Sequence, residues 1–231
     1  MRSSCPTAML CLAILLASQS VQAAVITFQE GQNGYSGTAD TYTAVQNPTT
    51  NFGNSGGVEI QGSSFQQGFL RFDDIVGSGA NQVAAGSTIN AVTLSLSLFN
   101  LGANTTVNRL LIGFDEHTTT FSNAYGGDGA SANDIEATSA SVTLTNSNFA
   151  NLDITSLASC WFDLSCANEG LVFSNYFNNT DAMGFYSSDD GLPGVQPQLI
   201  VDYTPSAVPV PASAVLLFAG IVFLVAGRRR I

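Results

Sequence analysis

Apolar residues follow two patterns along this chain. Near each end they run almost unbroken, at 8–17 and 208–227, whereas between those runs they alternate with polar residues. Thr93-Leu94-Ser95-Leu96-Ser97-Leu98-Phe99 has a period of two, which puts the three leucines on one face of a strand. Segments 68–72, 141–144, 170–173 and 199–203 read as further strands. Clusters such as Asn54-Ser55-Gly56-Gly57 and Tyr125-Gly126-Gly127-Asp128-Gly129 supply turn chemistry between them. No middle segment holds a long helical period with caps. Many short strands separated by turns predict an all-β, antiparallel jelly roll or β-sandwich. No internal repeat or linker interrupts it, so a single domain at 24–204 is expected.

The unbroken runs read differently. Arg2, the apolar stretch 8–17 and the small residues around Val21 and Ala23 make a secretory signal peptide at 1–23, cut after Ala23. Cys11 lies near the start of that stretch, where a lipid-attachment cysteine would follow it, so lipidation is the lesser reading. The stretch 208–227, helical, would be roughly 30 Å long, enough to cross a bilayer. Arg228, Arg229 and Arg230 stay cytoplasmic under the positive-inside bias, which leaves the preceding chain outside. Pro209 and Pro211 impose an extended approach to that helix.

Val208-Pro209-Val210-Pro211-Ala212-Ser213, the apolar span and the basic end together resemble a PEP-CTERM sorting signal, here occupying 205–231. Val210 stands where the commonest form has glutamate, which places the motif with the V-P-x-P-A type. The resemblance implies export through the inner membrane of a Gram-negative bacterium and a transient stay in that membrane. Signal peptidase and an exosortase-type sorting enzyme would process the chain, and the product would reach the cell surface or extracellular matrix. An ordinary membrane anchor is the alternative.

Removing both ends sharpens the charge. Between 24 and 204, two arginines face seventeen acidic residues and no lysine, a formal charge of −15. Such a surface excludes nucleic acid as a partner, because phosphate backbones need basic patches. It attracts divalent cations. Cys160 and Cys166 are the only cysteines left, and in an oxidising compartment they predict a disulfide; a zinc pair would lack its other ligands.

The domain resembles the DNRLRE family, jelly rolls related to carbohydrate-binding modules. Asp40-Thr41-Tyr42 with Asn51-Phe52-Gly53, Phe69-Leu70-Arg71-Phe72-Asp73 and the run 86–94 carry the likeness. So do Asp153-Ile154-Thr155 with Trp161, then Phe185-Tyr186-Ser187-Ser188-Asp189 with 197–203. The central tryptophan-rich segment of the family is reduced here to 114–121, with Phe114 and Phe121 in the tryptophan places. The resemblance implies an extracellular β-sandwich of the kind attached to surface or polysaccharide-degrading proteins.

Candidate chemistry is sparse. Arg71 falls on the strand face opposite Leu70 and Phe72, where it can pair with Asp73; alternatively it and Arg109 can hold a uronate. Asp40 with Asn51, and the turn from Asp128 to Asp134, are oxygen-rich enough to suggest a structural calcium, although no EF-hand spacing is present. Tyr125 and Tyr176 are candidate sugar-stacking rings, with Tyr35 and Phe177 beside them; Trp161 reads as core. Asp115-Glu116-His117, taken as a strand, would let Asp115 meet His117 but not Glu116, and no nucleophile elbow accompanies it. The sequence therefore suggests a non-catalytic protein associating with extracellular polysaccharide. A purely structural matrix protein and a polysaccharide-degrading enzyme are the alternatives.

Overall fold

The computed structural model describes residues 22–62, 64–102, 105–142, 148–174 and 182–206. The folded unit spans Gln22–Pro205. Tyr176, the sorting motif at 208–213, the apolar span, Arg228, Arg229 and Arg230 lie outside the described residues, as do 1–21. Among the described residues no helix is long and apolar enough to cross a membrane.

The unit is mostly antiparallel β-structure. Its strands are β1 (Ala24–Gln29), β2 (Thr38–Ala44), β3 (Gly57–Gln61), β4 (Gln66–Phe72), β5 (Thr88–Asn100) and β6 (Thr105–Leu110). They continue with β7 (Ile135–Val142), β8 (Phe149–Asp153), β9 (Leu171–Ser174), β10 (Ala182–Tyr186) and β11 (Gln198–Thr204). One helix, α1 (Thr155–Phe162), follows β8. The strand order is β1-β11-β5-β10-β3-β4-β9-β6-β7, with β2 added to β4 and β8 added to β5.

The thirteen-residue β5 lets the sheet curl. Residues 88–95 pair with β11 and 93–97 with β8, while Leu98 and Asn100 pair with β10 across a register shift. One strand thus belongs to two stretches of sheet. Its alternation aims Val92, Leu94, Leu96 and Leu98 inward, where they meet Leu70 and Phe72 of β4, Phe173 of β9 and Phe185 of β10. Removing such side chains from water, at about 1.5–3 kcal/mol each, is what holds the curl closed.

Two sequence expectations change. The all-β expectation is broken by one helix, since β8 ends at Asp153 and α1 begins at Thr155. Asp153 Oδ1 accepts from Thr155 N (2.9 Å) and Thr155 Oγ1 (2.6 Å), which turns the chain. Leu157, Ala158, Trp161 and Phe162 then share the buried face of α1. Two turns are too short for that period to stand out in the sequence. Trp161 is in the core, as read, and the Cys160–Cys166 disulfide is formed at the helix end. The other change concerns 114–121, which is a turn: Thr119 N donates to Asp115 O at 2.9 Å. The strand expected at 141–144 starts earlier, as β7, and 143–144 lie outside the described residues.

Candidate functional site

Strand alternation on β4 sets Gln67, Phe69 and Arg71 on the outer face, away from Leu70 and Phe72. Arg71 Nε donates to Asp73 Oδ1 (2.7 Å) and Nη2 to Asp73 Oδ2 (3.0 Å), a bidentate pair. Nη1 donates to Phe114 O at 2.7 Å, and the guanidinium sits 5.1 Å from the centre of the Phe114 ring. The hydrogen bonds to Asp73 raise the arginine pKa further. Arg71 is therefore a clamp on the connection 111–134, which lies between β6 and β7.

That connection folds back over the outer face of β4. Phe114 and Tyr125 both rest on Phe69, with ring centres 5.6 Å and 5.5 Å away, Tyr125 nearly parallel to it. Gln67 Nε2 donates to Ala130 O and Gln67 Oε1 accepts from Ala130 N, at 3.0 and 2.8 Å. A second small core results, from Ala39, Phe69, Leu110, Phe114, Ala130 and Val172. Tyr125 donates its hydroxyl to Ile112 O (3.3 Å), and burial pushes its phenol pKa up. Arg109 pairs with Glu136 at 2.9 Å. Tyr35 is in the main core, its hydroxyl on Asp73 O at 3.0 Å, beside a cavity of ≈ 270 Å³ lined in part by Gln32, Asn33 and Asn81.

Motif residues far apart in sequence meet at a second place. Asp40, 1% exposed, accepts at Oδ2 from Ser188 N at 2.7 Å, 148 positions away. Its own N–H donates to Glu116 Oε1 at 2.8 Å. Asn51 Nδ2 donates to Glu116 O and Thr119 O, both at 2.8 Å, and Asn51 Oδ1 accepts from Gly53 N. A Cβ on Gly53 would run into the Glu116 backbone, so the loop and turn close only with glycine there. Burial raises the pKa of both Asp40 and Glu116, and the nearby Asp189 adds to each rise. Asp115, Glu116 and His117 lie in a turn rather than on a strand. Asp115 Oδ1 accepts from His117 N and Thr118 Oγ1, while the His117 imidazole lies 3.7 Å from Glu116 Oε2.

These contacts bear on the oxygen-rich turns. Asp40 and Asn51 share the junction, but their polar atoms hold backbone groups. Asp134 Oδ2 accepts from Ser131 N and Oγ, closing its own turn; Asp128 is the residue at which the helical turn Tyr125–Gly127 ends. Among the described residues no three His, Cys, Asp or Glu side chains come together as metal ligands.

A third place was not singled out from sequence. On the outer face of β5, Ser95 and Ser97 lead to Phe99, which is 43% exposed. Phe99 lies across Gly57 of β3 and Gly184 of β10, where a Cβ on either glycine would strike its ring. Tyr186 stands 5.5 Å away at an interplanar angle of 67°. Phe149 is opposite Ser97 across the β5–β8 pair and is 61% exposed, so it shares the face diagonally with Phe99. Asn151 on β8, and Glu59 and Gln61 on β3, point outward by the same alternation. The sequence signal was the polar row of β5 ending in an aromatic. The convergence of two distant glycines beneath it was not readable.

No protein-family model matches the chain, and no curated protein matches it. The two resemblances drawn above rest on their motif residues alone.

Proposed function

We propose that this chain is an exported, non-catalytic protein of the cell surface or extracellular matrix that associates with polysaccharide through the outer face of β5, β10 and β3. The carrying observation is Phe99, whose ring lies over Gly57 and Gly184 and is 43% exposed to solvent. A pyranose has apolar C–H faces and a hydroxyl rim. An exposed ring beside Tyr186 and Phe149 receives the former, and Ser95, Asn151, Glu59 and Gln61 exchange hydrogen bonds with the latter.

On this reading the curled sheet is a DNRLRE-like jelly roll. The 205–231 segment is the sorting signal acted on by an exosortase-type enzyme after signal peptidase has removed 1–23. The closed face over Arg71 serves the fold. Retardation of the protein in gels cast with soluble polysaccharides tests the association, and release of reducing ends tests the enzyme alternative. Absence of retardation with every polymer points to the purely structural matrix role. Mass determination of the protein recovered from producing cells and medium tests processing: retention of Arg228, Arg229 and Arg230 in both rejects it.

A further inference from the structure

We infer that the Phe99 face takes neutral glycans and excludes uronate-bearing ones; this rests on the polysaccharide reading above. A carboxylated sugar is held best by a fixed cation, and the only permanently charged basic side chains of the folded segment are Arg71 and Arg109. Both are engaged elsewhere. Arg71 uses Nε and Nη2 on Asp73 and Nη1 on Phe114 O, beneath the 111–134 connection on the outer face of β4. Arg109 is bound to Glu136 on β7, and its side chain is mostly buried.

The charge that does reach the Phe99 face has the wrong sign for a uronate: Glu59 points outward beside Gly184, its partner in the β3–β10 pair. Carboxylates only accept hydrogen bonds, so they recognise sugar hydroxyls as donors and repel sugar carboxylates. The hydroxyl of Ser95 and the amides of Asn151 and Gln61 complete a set suited to an uncharged partner. The face runs across β8, β5, β10 and β3, about 14 Å at the usual strand spacing, so it accommodates a run of sugars.

The test is affinity electrophoresis of the full chain in detergent micelles. It is run against a neutral β-glucan and a galactomannan on one side, and against polygalacturonate and alginate on the other. Each is tested at low salt, at high salt, and with added calcium. Retardation by a neutral polymer is expected, unchanged by salt or calcium, and weakened about tenfold or more in Phe99→Ala. Glu59→Lys, which leaves the core untouched, is expected to gain retardation by polygalacturonate at low salt. A thermal melt of each variant separates loss of the ring from loss of the fold. Retardation of the unaltered chain by uronates alone, whether salt-sensitive or calcium-dependent, overturns the neutral specificity while leaving polysaccharide association intact. No retardation by any polymer overturns both. Neutral-polymer retardation that Phe99→Ala leaves unchanged, with the variant folded, overturns the assignment to this face.

Discussion

The two outer faces of the curled sheet are built from the same kind of alternating strand, yet only one is covered. Around β4, Phe69 is fully buried because the 111–134 connection returns over it with Phe114, Tyr125 and Ala130. Around β5, Phe99 lies on two glycines and keeps 43% of its surface in water. Both phenylalanines point out of the sheet. One became core because a long connection brought apolar partners and an arginine clamp; among the described residues no such connection covers the other. The exposed aromatic on a glycine-floored face is the feature on which the proposed polysaccharide association rests, whereas the more conspicuous Arg71 is already paired with Asp73.

The comparison is broken most directly by truncating each ring. Phe69→Ala should lower the unfolding free energy by about 3–5 kcal/mol in urea titration, the usual loss for a buried phenylalanine. Phe99→Ala should cost well under that, about 1 kcal/mol or less, because its ring is already half solvated. Equal losses at the two positions would mean that both faces are core. Next in size, replacing Cys160 and Cys166 with serine should cost about 2–3 kcal/mol by loosening the end of α1, read as a lower melting temperature. Polysaccharide retardation should be unchanged, since none of the residues assigned to the Phe99 face lies in α1.

Arg71→Lys should cost about 1.5 kcal/mol, the lower part of the range for charged hydrogen bonds, because Asp73 is half exposed and can rehydrate. Lysine cannot reproduce the paired contact to Asp73 while also reaching Phe114 O. Hydrogen exchange should then quicken in 111–134 and not in β10, which would sharpen the division between the covered and open faces.

The smallest effect is expected as a pH slope. Asp40 and Glu116 have pKa values raised mainly by burial, with Asp189 raising both and His117 lowering that of Glu116. A raised carboxyl pKa means that the fold favours the protonated form. Their contribution is therefore fully present below the ordinary carboxylate range and is lost as pH climbs through the raised values. Asp115, Asp153 and Asp163 have lowered values, each mainly from a neighbouring hydroxyl, and act oppositely, losing their contribution as pH falls. Asp40→Asn retains an acceptor for Ser188 N and should flatten the decline above the ordinary aspartate range. A decline unchanged in this variant would place its source elsewhere.

How much could be read in advance follows from how local each cause was. The leucines of β5 and the Leu70/Phe72 pair of β4 declared their faces by period two, since alternation is a property of the strand itself. The Cys160–Cys166 disulfide was readable because these are the only two cysteines between the apolar ends and further zinc ligands are lacking. The Arg71–Asp73 pair was readable too, because side chains two apart on a strand share a face. The start of α1 was not, because Asp153 and Thr155 turn the chain through hydrogen bonds that an extended reading of the same residues does not reveal. The turn at 114–121 escaped for a similar reason: Asn51, 65 and 68 positions away from the carbonyls it binds, helps to hold it.

By itself, then, the order of residues determined the β-rich character of the middle, the inward rows of its principal strands, the disulfide, and the extreme acidity of the folded segment. These depend on composition and on neighbours a few positions apart. Only the tertiary structure decided that Asp40 would be sealed by Ser188, that the 111–134 connection would close one face, and that Gly57 and Gly184 would meet beneath Phe99 on the other. Those outcomes depend on which distant strands become neighbours, and that is set by the collective burial of the core rather than by any local pattern.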